Sequence, residues 1–266
     1  VSFDLHFVPP GGAGGVPLLL FTPPGGARPA PVLVCVHGLT RQPLDQLEAF
    51  APLARAHGFA LALPLFRDRG EHRRYQQLRH ARRGSRADLA LLHAIDAAGA
   101  THGLDTGRLH CFGYSGGAQF VHRLALLHPR RVASLGIGAA GWYTWPDRAE
   151  PWPHGLADAE ATLGVHADLR AFFGLRIAVW VGERDDRPDE ALRDEPRVVA
   201  RQGSGRLERA RRWTAAVARG AVAEGLRPDV RLEVLPRAGH DFLACHRRAG
   251  LADRVVAHAL GRGTGT

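Results

Sequence analysis

The stretch "HCFGYSGGAQF", residues 110–120, sets three glycines, Gly113, Gly116 and Gly117, around Ser115. Glycine costs backbone entropy wherever it is fixed, so this density beside one hydroxyl requires a structural reason. The run before it, "RLHCFG", is short, apolar and strand-like. The run after it, "GAQFVHRLALLH", has helical spacing and is closed by Pro129. Ser115 therefore stands where a strand turns directly into a helix. Such a turn leaves no room for side chains two residues before and two after its apex, and G-x-S-x-G supplies glycine at both places. With five Ser and 32 Gly in 266 residues, chance gives about 0.07 occurrences of the pattern. The following helix directs its N-terminal N–H groups at the serine, an arrangement suited to developing negative charge.

The alternation continues outward in both directions. Strands are expected at "VPLLLF", "PVLVCV" and "FALALP" before the serine, and at "VASLGIG", "RIAVWVG" and "VRLEVLP" after it. Between them lie "LDQLEAFAPLARAHG", "SRADLALLHAIDAAGATHG" (with Ser85 as N-cap) and "GRLERARRWTAAVARGAVAEG", and "LACHRRAGLADRVVAHAL" closes the chain as one helix. Strand alternating with helix predicts an α/β fold: a mostly parallel central sheet flanked by helices, in a single domain over residues 1–266. Only residues 139–174 break the rhythm. This stretch holds Trp142, Trp145 and Trp152 among several prolines and reads as a short lid-like excursion from the sheet.

A net charge of +9 and a pI near 10.9 raise the question of nucleic acid. All 35 basic residues are Arg, however, and the chain has no Lys, Asn or Met, a composition that reflects coding bias. The arginines are scattered rather than collected in a tract, so a solvated surface is expected and no nucleic-acid partner. No apolar run approaches the ~18 residues that would span a bilayer. The start, "VSFDLHFVPPGG", shows no basic segment followed by an apolar one. Cys35, Cys111 and Cys245 cannot all pair, and Cys35 and Cys111 sit in apolar strand-like runs. A reducing, cytoplasmic setting is the expectation. No metal-ligand spacing appears, and no cofactor is called for.

A serine hydroxyl is a weak nucleophile and needs a base, itself oriented by a carboxylate. In a parallel sheet both belong at the carboxyl ends of later strands. The last strand runs into "RAGHDF", which places His240 in the loop that follows. The strand before it runs into "ERDDRPDE", offering Glu183, Asp185, Asp186 and Asp189; Asp185 is the first choice and Asp186 the second. Acyl transfer also needs N–H donors for the oxyanion. Gly116 supplies one, and Leu39, in "VLVCVHGLT" after an earlier buried strand, the other. There Gly38 permits close approach and His37 braces the loop. Trp142, Tyr143 and Trp145 are candidates to wall an acyl pocket, and Arg67, Arg69 and Arg73 to line its mouth.

"HGLT", "GYSGG", "GERD" and "AGHDF", in this order and each after a strand, resemble the α/β-hydrolase fold superfamily over about residues 16–260. "GLDTGRLHCFGYSGGAQFVHRLALLHP" is further similar to its esterase and polyhydroxyalkanoate-depolymerase-like branch. The resemblance implies Ser115 as nucleophile, His240 as base, Asp185 as acid, and Leu39 with Gly116 as the oxyanion hole. It implies cleavage of a small-molecule carboxylic ester through an acyl-enzyme. Amide, thioester or carbon–carbon hydrolysis, or a catalytically silent binding protein, remain the alternatives that the same residues allow.

Overall fold

The computed structural model describes residues 4–11, 15–25, 28–66, 75–78, 86–186 and 192–261. Its strands in chain order are β1 (Leu5–Val8), β2 (Leu18–Phe21), β3 (Ala30–Val36), β4 (Ala60–Pro64), β5 (Leu104–Tyr114), β6 (Val132–Gly138), β7 (Ile177–Gly182) and β8 (Val230–Leu235). They form one sheet in the order β1-β2-β4-β3-β5-β6-β7-β8. The six strands from β3 to β8 run parallel, while β1 and β2 add an antiparallel edge. The helices are α1 (Pro43–His57), α2 (Ala87–His102), α3 (Gly116–Leu127), α4 (Ala159–Leu163), α5 (Leu169–Phe173), α6 (Pro196–Gln202), α7 (Arg206–Ala223), α8 (Phe242–Ala249) and α9 (Leu251–Ala259).

Helices cover both faces, so the inner strands read as apolar runs with little alternation. Their side chains still divide between two cores with the period of two that a strand imposes. Val32, Val34 and Val36 of β3 face one core, shared with Leu91 of α2, Leu124 of α3 and Trp213 of α7. Leu33 and Cys35 face the other, shared with Phe50 of α1 and Val255 of α9. All three cysteines are buried and free.

The structure departs from the sequence reading in several places. β1 was not expected, because four residues at a partly exposed edge carry little pattern. The closing helix is two, α8 and α9, because Gly250 takes a left-handed conformation (φ 62°) and ends the first. The cap of α2 is Arg86, and Ser85 lies outside the described residues. Residues 139–174 contribute α4 and α5, and Tyr143, Trp145, Trp152, Leu156 and Phe172 join the larger core.

The expectation of solvated arginines also fails in part. Arg86, Arg123, Arg206 and Arg209 are among the largest fully buried side chains. Arg209 donates to the carbonyl oxygens of Gly203, Gly141 and Arg193, and Arg123 to Thr144 Oγ1 and the carbonyls of Gln76 and Gln119. A guanidinium has five donors on a rigid fork and ties irregular backbone that lacks ladder partners. No helix among the described residues is long and apolar enough to cross a membrane.

Candidate active site

β5 ends at Tyr114 and α3 begins at Gly116, leaving Ser115 alone to make the corner. Its backbone sits at φ 53° and ψ −111°, a region costly for any residue with a Cβ. The corner is held by Ser115 N–H donating to Gly138 O (2.7 Å) and by Ser115 O accepting from Gln119 N–H (3.2 Å). A Cβ on Gly113 would overlap the Gly117 carbonyl, and one on Gly117 would overlap the carbonyl of Val36. The two glycines therefore let helix, strand and neighbouring strand meet backbone to backbone. Gly117→Ala is expected to cost more than about 3 kcal/mol, since backbone rather than a movable side chain occupies the space. A thermal midpoint within a few degrees of wild type would refute this.

Parallel pairing brings the ends of β5, β7 and β8 to one edge of the sheet. There His240 Nδ1–H donates to Asp185 Oδ2 (2.7 Å), which leaves Nε2 to accept from Ser115 Oγ–H (2.9 Å). Asp185 is 4% exposed and reaches its place through a turn in which its N–H donates to Gly182 O (3.0 Å). Among the other acids, Glu183 accepts from Arg237 N–H, Asp186 is exposed, and Asp189 lies outside the described residues.

Sequence reasoning missed Arg206. This buried side chain at the start of α7 donates Nη1–H to Asp185 Oδ1 (3.0 Å), so both carboxylate oxygens of Asp185 are engaged. An Arg at a helix start carries no distinguishing signal in a chain with 35 of them.

The loop after β3 passes the serine closely, a Cβ on Gly38 coming within 3.5 Å of Ser115 Cβ. His37 is buried; its Nε2 accepts from Phe66 N–H (3.1 Å), and its Nδ1–H donates to Gly38 O (2.8 Å). Burial is the main cause that lowers its pKa, consistent with a neutral brace. Leu39 is exposed in this loop and lines the same cleft as Ser115, and Gly116, the other candidate donor, is buried at the first turn of α3.

Beside Ser115 and His240 lies a cleft of about 230 Å³, walled by the loop from His37 to Gln42, by α1, and by the start of α8. Trp142, Tyr143 and Trp145 do not line it. Trp142 has both Arg123 (4.2 Å) and Arg193 (4.5 Å) over its ring, Tyr143 stacks on Trp213 (4.8 Å), and Trp145 lies under Arg201 (4.9 Å). These contacts fasten the excursion to the elbow helix and to α6 and α7. Trp145→Ala is accordingly expected to cost about 3–5 kcal/mol of stability, as a buried ring does, while leaving the ranking of substrates unchanged. Melting curves and rate rankings on one preparation check both halves. Arg67, Arg69 and Arg73 lie outside the described residues.

No family model matches the chain, and no curated protein matches its sequence. Solved structures do. A poly(aspartic acid) hydrolase from Sphingomonas sp. KT-1 superposes with a TM-score of 0.80 at 21% identity, over 96% of this chain and 100% of its own. A poly(3-hydroxybutyrate) depolymerase from Bordetella parapertussis gives 0.74 at 26% identity, over 90% and 88%. An S-formylglutathione hydrolase from Agrobacterium tumefaciens gives 0.61 at 17%, over 99% and 98%. The chain thus has the α/β-hydrolase fold, and its structural neighbours are esterases and depolymerases of that fold.

Proposed function

We propose that this protein is a serine hydrolase that cleaves a carboxylic ester through an acyl-enzyme. The observation that carries the reading is the unbroken hydrogen-bonded line Asp185–His240–Ser115, at 2.7 and 2.9 Å, opening on a cleft. In this scheme His240 Nε2 takes the Ser115 proton as Oγ attacks the ester carbonyl, and Asp185 stabilises the imidazolium that forms. The Leu39 and Gly116 N–H groups receive the oxyanion, and His240 returns the proton to the leaving alcohol. Water, deprotonated by His240, then releases the acid and restores Ser115.

Ester is preferred over other acyl bonds because the neighbour at 26% identity is a poly(3-hydroxybutyrate) depolymerase. A silent binding protein would have no use for a strained serine facing a histidine and a buried carboxylate. The test is a fluorophosphonate probe followed by peptide mapping, beside a panel of p-nitrophenyl esters of increasing acyl length. An adduct on Ser115 and turnover of one or more esters are expected. An adduct elsewhere, or ester turnover without one, would overturn the assignment.

A further inference from the structure

The two candidate oxyanion donors, Leu39 N–H and Gly116 N–H, lie on segments distant in sequence, and the Tyr75 side chain borders both. Tyr75 opens a single 3₁₀ turn, Tyr75–Gln77, that follows β4 in the chain. Its hydroxyl donates to His37 O (3.3 Å), at the start of the loop that carries Leu39. A Cβ on Gly116 would come within 2.6 Å of the same hydroxyl oxygen and within 2.5 Å of Gln76 Nε2. The space a side chain at position 116 would fill is therefore taken by these two groups. Tyr75 is 4% exposed and does not line the cleft, so it acts on the reaction only through its neighbours.

The ring is held from several sides. It stacks on Phe66 (4.9 Å), lies 5.6 Å from the His37 ring, and packs 6.3 Å from Phe120 of α3. The turn is tied in as well, since Arg123 of α3 donates to Gln76 O and Trp152 Nε1–H to Gln77 O (3.2 Å). Burial raises the Tyr75 pKa, which keeps the hydroxyl protonated and able to donate. A trans peptide points its C=O and N–H in opposite directions. Holding His37 O thus sets the first peptide of the loop. His37 Nδ1–H (2.8 Å) and Arg41 N–H (3.2 Å) both donate to Gly38 O, which sets the second and with it the direction of Leu39 N–H.

We propose, on the reading of the protein as a serine hydrolase, that Tyr75 is a positioning residue of the oxyanion hole: its hydroxyl spaces the Leu39 loop against Gly116, so that both N–H groups meet the developing oxyanion. Donors fixed in advance favour the transition state over the bound substrate, so a loosened hole lowers kcat and leaves KM nearly unchanged.

Tyr75→Phe keeps the ring and its stacking and removes the hydroxyl alone. On a p-nitrophenyl ester it should lower kcat by about tenfold, less than outright deletion of an oxyanion donor, with KM within about twofold of wild type. An alkyl trifluoromethyl ketone reports on the hole directly: Ser115 Oγ adds to its carbonyl carbon, His240 takes the proton, and the carbonyl oxygen becomes the oxyanion. Its affinity should fall by the same factor as kcat/KM. In Gly116→Ala the added methyl displaces the Tyr75 hydroxyl, so Tyr75→Phe should cost that variant less than about twofold, whereas independent losses would multiply. If Gly116→Ala does not fold, the first two measurements decide alone. A lower melting midpoint with wild-type kcat and ketone affinity overturns the inference, and so does a fall in kcat without one in ketone affinity, or losses that multiply. In each of these cases fluorophosphonate labelling and ester turnover by the wild type leave the hydrolase reading standing. Their absence from the wild type sinks that reading and the inference together.

Discussion

Ser115→Ala is expected to lower kcat on any ester substrate by about 10⁴–10⁶ and to abolish labelling by a fluorophosphonate. The loss is large because, among the described residues, the hydroxyl hydrogen-bonded to His240 Nε2 is Ser115 Oγ, at 2.9 Å. What remains should be the contribution of the oxyanion donors and of binding, which survives loss of the nucleophile. The substitution removes one oxygen from a position already held by backbone bonds to Gly138 and Gln119, so the fold should persist. Initial rates with a p-nitrophenyl ester decide the matter, and activity within tenfold of wild type would exclude Ser115 as nucleophile.

Asp185→Asn should lower kcat by about 10²–10⁴, because the amide favours the tautomer of His240 that cannot accept the serine proton. The structure adds a second consequence. Asp185 Oδ1 receives Nη1–H of Arg206, which is 1% exposed, so the neutral side chain removes one charged partner from a buried guanidinium. Breaking a buried pair costs at most about 3–5 kcal/mol, the figure for a charge left wholly uncompensated. The variant is therefore expected to melt well below wild type and to lose kcat, whereas Asp186→Asn, at an exposed position, should do neither. Arg206→Met separates the effects, since it unbalances the same pair but keeps the carboxylate beside His240. It should match the stability loss while retaining more of kcat. A kcat as low as that of Asp185→Asn would show that the guanidinium, and not the tautomer, dominates.

Much of the candidate site was legible because its signals are local. Gly113 is dictated by the Gly117 backbone inside one strand–turn–helix unit and Gly117 by the Val36 carbonyl of the neighbouring strand, so their spacing around Ser115 records how tightly the corner is packed. His240 and Asp185 were legible one step less directly, through the rule that parallel strands end on one edge. Position in the loop favours Asp185 over Asp186, and in the structure Asp185 is buried against His240 while Asp186 is exposed. Helix ends were less readable, and the break at Gly250 looked like an interior glycine until its left-handed conformation was seen.

By itself, then, the sequence determined the alternating strand–helix order, the elbow at Ser115 and the residues available as base and acid, since each follows from spacing within a short segment. Tertiary structure alone decided where the arginines and tryptophans go. Arg206 meets Asp185 across 21 residues and Trp213 stacks on Tyr143 across 70, and neither pairing has a period or a motif. Trp142, Tyr143 and Trp145 look alike as pocket walls or as core until their neighbours are known, because a large ring is buried favourably in either place. Asp45 and Asp241, far apart in the sequence, line one cleft only because α1 and α8 pack together. Local sequence fixes backbone conformation through short-range sterics; which side chains share a space is settled by packing between distant segments.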